Sequence, residues 1–318
     1  MSVQRLPGRR GSVNAMTGQD HTVATTAFGR VLTAMVTPFQ SSGALDLDAT
    51  RRLASHLVVA GCDGLVVSGT TGESPTTSDA EKALLVETVR ESVGDRARIV
   101  AGVGTFDTRH SVHLAEQAAA AGADGLLVVT PYYSKPPPAG LLAYFRAVAD
   151  ATDLPVMLYD IPGRTGTRIG SDLLARLAEH PRIVAVKDAT GDLYAGAWVM
   201  RETGLAFYSG DDTLNLAWLA QGAVGVVSVV GHAAAGPYAE MVAAADKGDL
   251  VTAREIHDRL LPAVRGVMTR TAGAAAAKAA LELLGVLPNR AVRPPLPEAS
   301  DDEVALLRTD LVAAGLLE

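Results

Sequence analysis

A lysine at the end of an apolar run is the first candidate for chemistry in this sequence. The run Ile183–Val186 reads as a strand buried on both faces, and Lys187 follows it without a break. A buried ammonium is costly unless it is paired or free to lose its proton. Two interpretations therefore stand: a structural lysine paired with an acid such as Asp188, or a deprotonated amine that acts as a nucleophile.

The other lysines favour the second interpretation. The chain has only five lysines, and Lys187 alone is predicted to lie in a strand. A free amine attacks a carbonyl carbon to give a Schiff base, whose protonated imine withdraws electrons and allows an enamine to form. This chemistry needs a proton carrier beside the imine. Tyr159 lies near the end of the preceding apolar run and suits that role; the alternative is a rim aromatic that packs on a loop.

Two polar loops add candidate binding groups. The turn Gly69–Glu73 (GTTGE) follows another apolar run, and its glycines let backbone N–H groups and threonine hydroxyls converge on a carboxylate or phosphate. Arg164, in the sequence IPGRTG, carries a planar guanidinium that suits a carboxylate. An ordinary strand-to-helix turn and a solvated arginine are the corresponding structural alternatives.

The elements that carry these residues alternate between strand and helix. Eight apolar runs are predicted strands: Val31–Pro38, Gly64–Gly69, Arg98–Val103, Gly125–Pro131, Pro155–Pro162, Ile183–Ala189, Ala206–Gly210 and Gly225–Val230. A helical pattern follows each of them, as in Ser78–Val93 with Ser78 as its cap, which predicts a parallel sheet. Eight such units predict an α/β fold of the (β/α)8 TIM barrel type, with its active site at the carboxyl ends of the strands. A doubly wound open sheet is disfavoured because no GxGxxG follows the first strand.

The chain divides into three predicted regions. Residues 1–27 are polar and lack an apolar core segment, so they are predicted to be a disordered tail rather than a signal peptide. Residues 28–248 form the catalytic barrel. Residues 249–318 hold further helical patterns, Leu250–Met268, Ala274–Leu284 and Asp301–Ala314, which exceed what the barrel needs and predict an all-helical C-terminal appendage.

Composition excludes several classes of function. With 48% hydrophobic and 20% charged residues, the chain has the balance of a soluble globular enzyme. A net charge of -7 argues against nucleic acid as a partner, and no apolar run is long enough to span a membrane. The single cysteine, Cys62, excludes an internal disulfide and fits the cytoplasm. No cluster has the spacing of a metal site, so no metal is expected.

Four motifs occur in order along the chain: GTTGE at Gly69–Glu73, TPYY at Thr130–Tyr133, YDIPGRTG at Tyr159–Gly166 and VKDATGDL at Val186–Leu193. On these motifs, the chain from about Gly29 to its C-terminus resembles the family of class I pyruvate-dependent aldolases that includes dihydrodipicolinate synthases and N-acetylneuraminate lyases. The resemblance implies that Lys187 forms a Schiff base with pyruvate, without a separate cofactor.

The resemblance also implies roles for the residues around Lys187. Tyr159 would relay protons together with Thr70 and with Tyr133, the latter reaching in from a second subunit. Thr70 and Thr71 would hold the pyruvate carboxylate.

The acceptor end of the pocket is implied in the same way. Arg164 would bind the carboxylate of the incoming aldehyde, and backbone groups at Gly210 and Val227 would shape the pocket floor.

Within that family, the pairing of GTTGE with TPYY and the arginine of PGRTG point to the synthase branch. That branch condenses pyruvate with L-aspartate 4-semialdehyde to 4-hydroxy-tetrahydrodipicolinate, on the way to diaminopimelate and lysine. A homotetramer built from two tight dimers is implied.

Two departures stand out. Asp160 occupies a position where many members have asparagine. By the same resemblance, Lys82, Phe106 and His110 correspond to the lysine feedback site of the family, where inhibited members have His, Asn and Glu. Weak or absent inhibition by lysine is therefore predicted.

Two other functions remain open from the sequence. One is another aldolase or lyase of the same family, acting on a sugar acid or a different 2-oxo acid, because only a few rim residues select the acceptor. The other is a non-catalytic small-molecule sensor on the same barrel. Lys187 and Tyr159 weigh against the sensor, since it has no need of the amine.

Overall fold

Eight parallel strands close into a barrel in chain order in the computed structural model, which describes residues 21–318. The strands are β1 Val31–Ala34, β2 Gly64–Val67, β3 Arg98–Gly102, β4 Gly125–Val129, β5 Val156–Asp160, β6 Ile183–Asp188, β7 Ala206–Ser209 and β8 Gly225–Ser228. Each lies within a run predicted from the sequence, and β1 pairs with β8 to complete the ring. The prediction of a (β/α)8 barrel is confirmed.

Helices follow the strands and continue beyond the eighth. The α-helices of the described residues are α1 Thr22–Phe28, α2 Leu47–Val59, α3 Asp79–Val93, α4 Thr108–Ala120, α5 Pro138–Asp150, α6 Pro162–Thr165, α7 Ser171–Leu177, α8 Leu193–Thr203, α9 Asn215–Ala220, α10 Gly231–Asp246, α11 Leu250–Thr269, α12 Gly273–Leu283 and α13 Asp301–Ala313. Ser78 caps α3 as predicted, in a capping box with Glu81. No helix within residues 21–318 is both long and apolar enough to cross a bilayer.

Helix α1 closes the amino-terminal end of the barrel. Phe28 lies edge to face with Tyr208, with ring centroids 6.4 Å apart, and the Tyr208 hydroxyl donates to the Gly29 carbonyl at 2.8 Å. The first residues of β2 and β4 are Gly64 and Gly125, and a Cβ at either would lie within 2.4 Å of a Phe28 atom. These glycines therefore leave the space that Phe28 of α1 occupies.

The predicted tail is corrected by this helix. The prediction of disorder through residue 27 was wrong for residues 22–27, which are helical. The segment is short and contains three threonines, so local propensity is weak and packing against the barrel stabilises it. The first twenty residues of the predicted tail lie outside the described residues.

Two apolar layers surround the barrel interior. Side chains alternate along each strand, so one set fills the interior and the other packs beneath the helices. Helices α11, α12 and α13 form the predicted C-terminal helical region. They share a further cluster with α10 that includes Met241, Leu260, Val264 and Leu311. Helices on both sides of residue 248 therefore share one apolar cluster. The domain boundary predicted at that residue stays a prediction.

Candidate active site

Lys187 and Tyr159 lie side by side on neighbouring strands at the carboxyl end of the barrel. They are register partners between β6 and β5, and the Lys187 Nζ lies 4.2 Å from the centroid of the Tyr159 ring. Both side chains are buried, with 4% and 5% exposed. Because Lys187 is two residues beyond Ala185, an interior residue of β6, its side chain is on the interior face.

Burial governs the charge of this lysine. Desolvation lowers the pKa of Lys187 to about 8; the Asp212 carboxylate opposes the shift and the Arg164 guanidinium adds to it. The alternative pairing with Asp188 is not formed, since Asp188 Oδ1 accepts from the N–H of Thr190 at 2.8 Å and from its hydroxyl at 2.9 Å. With this pKa, roughly a tenth of the amine is neutral at pH 7, and this neutral form is the nucleophile.

Tyr159 is a protonated phenol at neutral pH. Burial raises its pKa above the ordinary value of 10, while the positive charge of Arg164 works in the opposite direction. A buried phenol beside an amine can donate a proton and take it back, which is the requirement for a proton carrier at an imine.

The loop after β2 forms a tight turn beside this pair. The Glu73 N–H donates to the Thr70 carbonyl at 3.1 Å, and the Thr37 hydroxyl, from the loop after β1, donates to the Gly72 carbonyl at 2.7 Å. Thr70 is exposed and Thr71 is half-buried, so both residues are accessible from the rim.

Two cavities meet at this turn. One, of about 190 Å³, is lined by residues that include Thr70, Tyr132, Tyr159 and Arg164. The other, of about 290 Å³, shares Thr70 and Arg164 and adds Thr71 and residues of the C-terminal helical region. Tyr159 thus forms part of the wall, and the Lys187 amine lies against its ring.

Arg164 stands on α6, a single helical turn after β5. Pro162 at the start of α6 and Gly166 at its end, with a φ of 69°, fix this short turn at the rim. The guanidinium is exposed and lines both cavities. A cation there suits a carboxylate that enters from solvent.

A family comparison supports what this geometry suggests. The model of the dihydrodipicolinate synthetase family matches residues 27–314. This chain belongs to that family. The prediction of family membership is therefore confirmed.

Several members of the dihydrodipicolinate synthetase family are close in sequence or structure. A 4-hydroxy-tetrahydrodipicolinate synthase of Kineococcus radiotolerans is 65% identical over 289 residues, covering 91% of this chain and 94% of the relative. A 4-hydroxy-tetrahydrodipicolinate synthase 2 of Streptomyces coelicolor is 59% identical, with 92% and 97% covered. The crystal structure of a dihydrodipicolinate synthase from Cyanidioschyzon merolae with lysine bound has a TM-score of 0.88 at 41% identity, with 92% and 99% covered.

The remaining predicted site residues fall into two groups. Gly210 touches the nucleophile: a Cβ at this position would lie 2.8 Å from Lys187 Cγ. Val227 is buried in the interior cluster that contains Tyr159. Tyr133, in contrast, is 93% exposed, with a positive φ of 71°. The cavity beside Tyr159 takes Tyr132 in its wall, so a single chain of this family member does not bring Tyr133 to the site.

Sequence reasoning assigned no role to three residues in or near this site. Tyr132 lines the cavity, Ser68 has a buried hydroxyl with no hydrogen-bond partner in the described residues, and Lys278 pairs with Glu73. Lys278 is the one charged residue in the alanine-rich stretch 274–281, which sets it apart in the sequence but does not identify Glu73 as its partner. Within residues 21–318, no three His, Cys, Asp or Glu side chains are grouped as a metal site.

Proposed function

We propose that this chain condenses pyruvate with L-aspartate 4-semialdehyde to form 4-hydroxy-tetrahydrodipicolinate, a lyase-class step of diaminopimelate and lysine synthesis. One observation carries the chemistry: the amine of buried Lys187, with a lowered pKa, lies 4.2 Å from the ring centroid of Tyr159 on the adjacent strand. The names of the close relatives support the choice of acceptor.

The reaction begins when the neutral Lys187 amine attacks the keto carbon of pyruvate. Loss of water leaves a protonated imine, and removal of a methyl proton gives an enamine. The enamine carbon attacks the aldehyde carbon, and the resulting alkoxide takes a proton. The amino group of the bound adduct then displaces Lys187 from the imine carbon, which closes the ring and restores the enzyme. The imine is formed by the substrate itself, so the proposal includes no separate cofactor.

Tyr159 moves the protons in this scheme. It donates a proton to the hydroxyl that leaves as water and later donates one to the alkoxide. The phenol must regain its proton between these steps. Thr70, at the wall of the same cavity, supports a relay toward solvent. Tyr133 would complete the relay from a neighbouring subunit, which agrees with its exposure on the isolated chain.

The two substrates carry carboxylates that need separate partners. The hydroxyls and N–H groups of Thr70 and Thr71 suit the carboxylate of pyruvate. Arg164, exposed on the rim, suits the carboxylate of the aldehyde. The family resemblance assigns the floor of the pocket to backbone groups of Gly210 and Val227, and at position 210 a Cβ would lie 2.8 Å from Lys187 Cγ.

The family resemblance supports a homotetramer built as a dimer of tight dimers, while the proposed role of Tyr133 by itself needs one neighbouring subunit. A monomeric dihydrodipicolinate synthase variant is also similar to this chain in structure, with a TM-score of 0.87 at 36% identity. The biosynthetic role and the buried, unpaired Cys62 support a cytoplasmic location.

Borohydride trapping tests the proposal. Incubation with pyruvate and sodium borohydride, followed by peptide mass analysis, should place a pyruvate-derived adduct on Lys187. Lys187→Met should give none, and Lys135→Met, which removes a rim lysine, should still be labelled. Labelling of the wild-type chain elsewhere, or nowhere, would overturn the enzyme proposal. An adduct on Lys187 without consumption of L-aspartate 4-semialdehyde would instead indicate a different acceptor.

A further inference from the structure

A buried ion pair ties the turn Gly69–Glu73 to the C-terminal helical region. The Lys278 Nζ, on α12, lies 2.5 Å from Glu73 Oε1, and both side chains are 1% exposed. The two residues are 205 positions apart in the chain. Ion pairs so fully removed from water are rare, and they are held in one geometry only when their remaining hydrogen-bonding groups are satisfied.

Those remaining groups are satisfied here. Glu73 Oε2 accepts the backbone N–H of Arg293 at 2.8 Å, and Lys278 Nζ also donates to the Ala291 carbonyl at 2.6 Å. The Phe39 ring lies beneath both cations, with its centroid 4.3 Å from Lys278 Nζ and 4.3 Å from the Arg293 guanidinium carbon. The carboxylate of Glu73 is thus fixed from several directions.

The backbone conformation of Glu73 couples the ion pair with Lys278 to the turn. Its φ is 56°, a left-handed conformation that is unfavourable for a residue with a side chain and persists where surrounding contacts impose it. The Glu73 N–H donates to the Thr70 carbonyl at 3.1 Å, and the Ser74 N–H donates to the Gly69 carbonyl at 3.3 Å. A shift of Glu73 would therefore be transmitted directly to the threonines of the turn.

The same part of the C-terminal region also reaches the cavity. Met268, Gly273 and Leu296 line the cavity of about 290 Å³ together with Thr70 and Thr71. Helix α12 therefore supplies both the cation of the ion pair, Lys278, and a residue of the cavity wall, Gly273.

We infer that Lys278 is a positioning residue for pyruvate: through Glu73 it holds Thr70 and Thr71 at the spacing that the pyruvate carboxylate needs. The helical C-terminal region thereby sets the affinity of a site whose nucleophile is on the barrel. This inference rests on the proposed function of Lys187 and of the two threonines.

The test separates positioning from stability with three variants. Lys278→Met removes the cation and leaves Glu73 buried and unpaired, so it lowers stability as well as pyruvate affinity. The double variant Glu73→Gln with Lys278→Met removes both charges and keeps an acceptor for the Arg293 N–H, so its melting temperature should return toward the wild-type value. Asp310→Asn is the matched control, because Asp310 is a buried acid of the same region that pairs with Arg265 and Arg270 instead of the turn.

The expected result is a higher KM for pyruvate without a comparable change in kcat or in the KM for the aldehyde. In Lys278→Met and in the double variant, the KM for pyruvate should rise about tenfold, the loss of one well-placed interaction with a charged group. The kcat and the KM for the aldehyde should change less than about twofold. Borohydride labelling of Lys187 should fall at low pyruvate and recover at saturating pyruvate. Asp310→Asn should leave both KM values unchanged.

Two outcomes would overturn the inference. One is a wild-type pyruvate KM in the folded double variant. The other is a parallel loss of activity in Lys278→Met and Asp310→Asn without a change in either KM, which would mark the pair as purely structural. Failure to label Lys187 in the wild-type chain would instead remove the proposed function on which the inference rests.

Discussion

Asp160 and Asp188 are register partners on β5 and β6, one residue beyond Tyr159 and Lys187. Because side chains alternate along a strand, the two acids lie on the outer face and line a small gap under α7 and α8. Asp160 Oδ2 accepts the Ile169 N–H at 3.0 Å, while its Oδ1 has no hydrogen-bond partner among the described residues. Burial raises the pKa of Asp160 to about 7. The negative charge of Asp188 makes a smaller contribution in the same direction.

Asp160→Asn should therefore stabilise the protein at alkaline pH. Between the ordinary pKa of 3.8 and about 7, the native state holds a proton that the unfolded state has released, so stability falls as pH rises through this window. The amide cannot ionise and does not suffer this loss. From pH 5 to pH 8 the stability of the variant relative to the wild type should increase by on the order of 2 kcal/mol.

Urea denaturation at the two pH values measures this difference. Asp153→Asn is the control, because that carboxylate is exposed and its removal should change stability little at either pH. A destabilised Asp160→Asn at pH 8 would show that the ionised carboxylate is accommodated in the native state.

His232 should give the opposite dependence on pH. Its Nε2 accepts the Val36 N–H at 3.0 Å and its Nδ1 lies 2.7 Å from the Val229 carbonyl, so the ring is held neutral between β1 and β8. Burial lowers its pKa to about 4 from 6.5, so below pH 6.5 the unfolded state binds a proton that the native state refuses. Stability from this group is thus lost as pH falls from about 6.5 toward 4.

His232→Gln should be less stable than the wild type by about 1–3 kcal/mol at pH 7.5, because a buried N–H loses its acceptor. The gap should narrow as pH falls toward 4.5, since only the wild type loses stability through this group. His113→Gln, at an exposed position on α4, should show neither effect in the same denaturation series. A constant gap at all pH values would contradict the account.

The features that the sequence predicted well are those with local patterns. The strand that carries Lys187 was recognisable from four apolar residues before it, and alternation placed the amine in the interior. Tyr159 followed from the same logic on β5. The barrel then brought both to one rim, because parallel strands share their carboxyl ends.

The features that escaped prediction depend on distant contacts. The partner of Glu73 is 205 residues away, and nothing local marks Lys278 as its ion-pair partner. Helix α1 has weak propensity and is stabilised by packing of Phe28 against Tyr208. The position of Tyr133 relative to Tyr159 depends on a second chain in the proposal, and periodicity within one sequence carries no information about it.

Imine formation should depend on pH through Lys187. Only the neutral amine attacks pyruvate, so kcat/KM for pyruvate should rise with pH and level off above the pKa of about 8. Arg164→Gln should move the midpoint to higher pH, because the positive charge of Arg164 lowers the pKa of Lys187. Arg168→Gln is the control: this arginine pairs with Asp192, and its loss should leave the midpoint unchanged. An unmoved midpoint in Arg164→Gln would show that its charge does not reach the amine.

Lysine should inhibit this enzyme weakly or not at all. Lys82 is buried and donates to the Thr77 carbonyl, His110 Nε2 is 3.0 Å from Asp79, and Phe106 packs against Tyr132 with centroids 5.6 Å apart. The cationic Lys82 would repel the ammonium groups of a lysine ligand. Initial rates with low-millimolar lysine should stay above half of the uninhibited rate. A greater loss would contradict this expectation, whereas Lys82→Met should increase any residual inhibition, because it removes the repelling charge.

Gly210→Ala should disable the site while leaving the fold intact. The added Cβ would lie 2.8 Å from Lys187 Cγ, 3.0 Å from its Cε and 2.9 Å from the Asp188 carbonyl, so the nucleophile has to move. A displacement of the reacting group by about 1 Å is enough to cost on the order of a hundredfold in kcat/KM. Gly170→Ala is the matched control, since a Cβ there meets no atom within 4 Å. Both variants should keep wild-type circular dichroism, and only Gly210→Ala should lose borohydride labelling. Retained labelling and turnover in Gly210→Ala would show that Lys187 has freedom to adopt a second productive position.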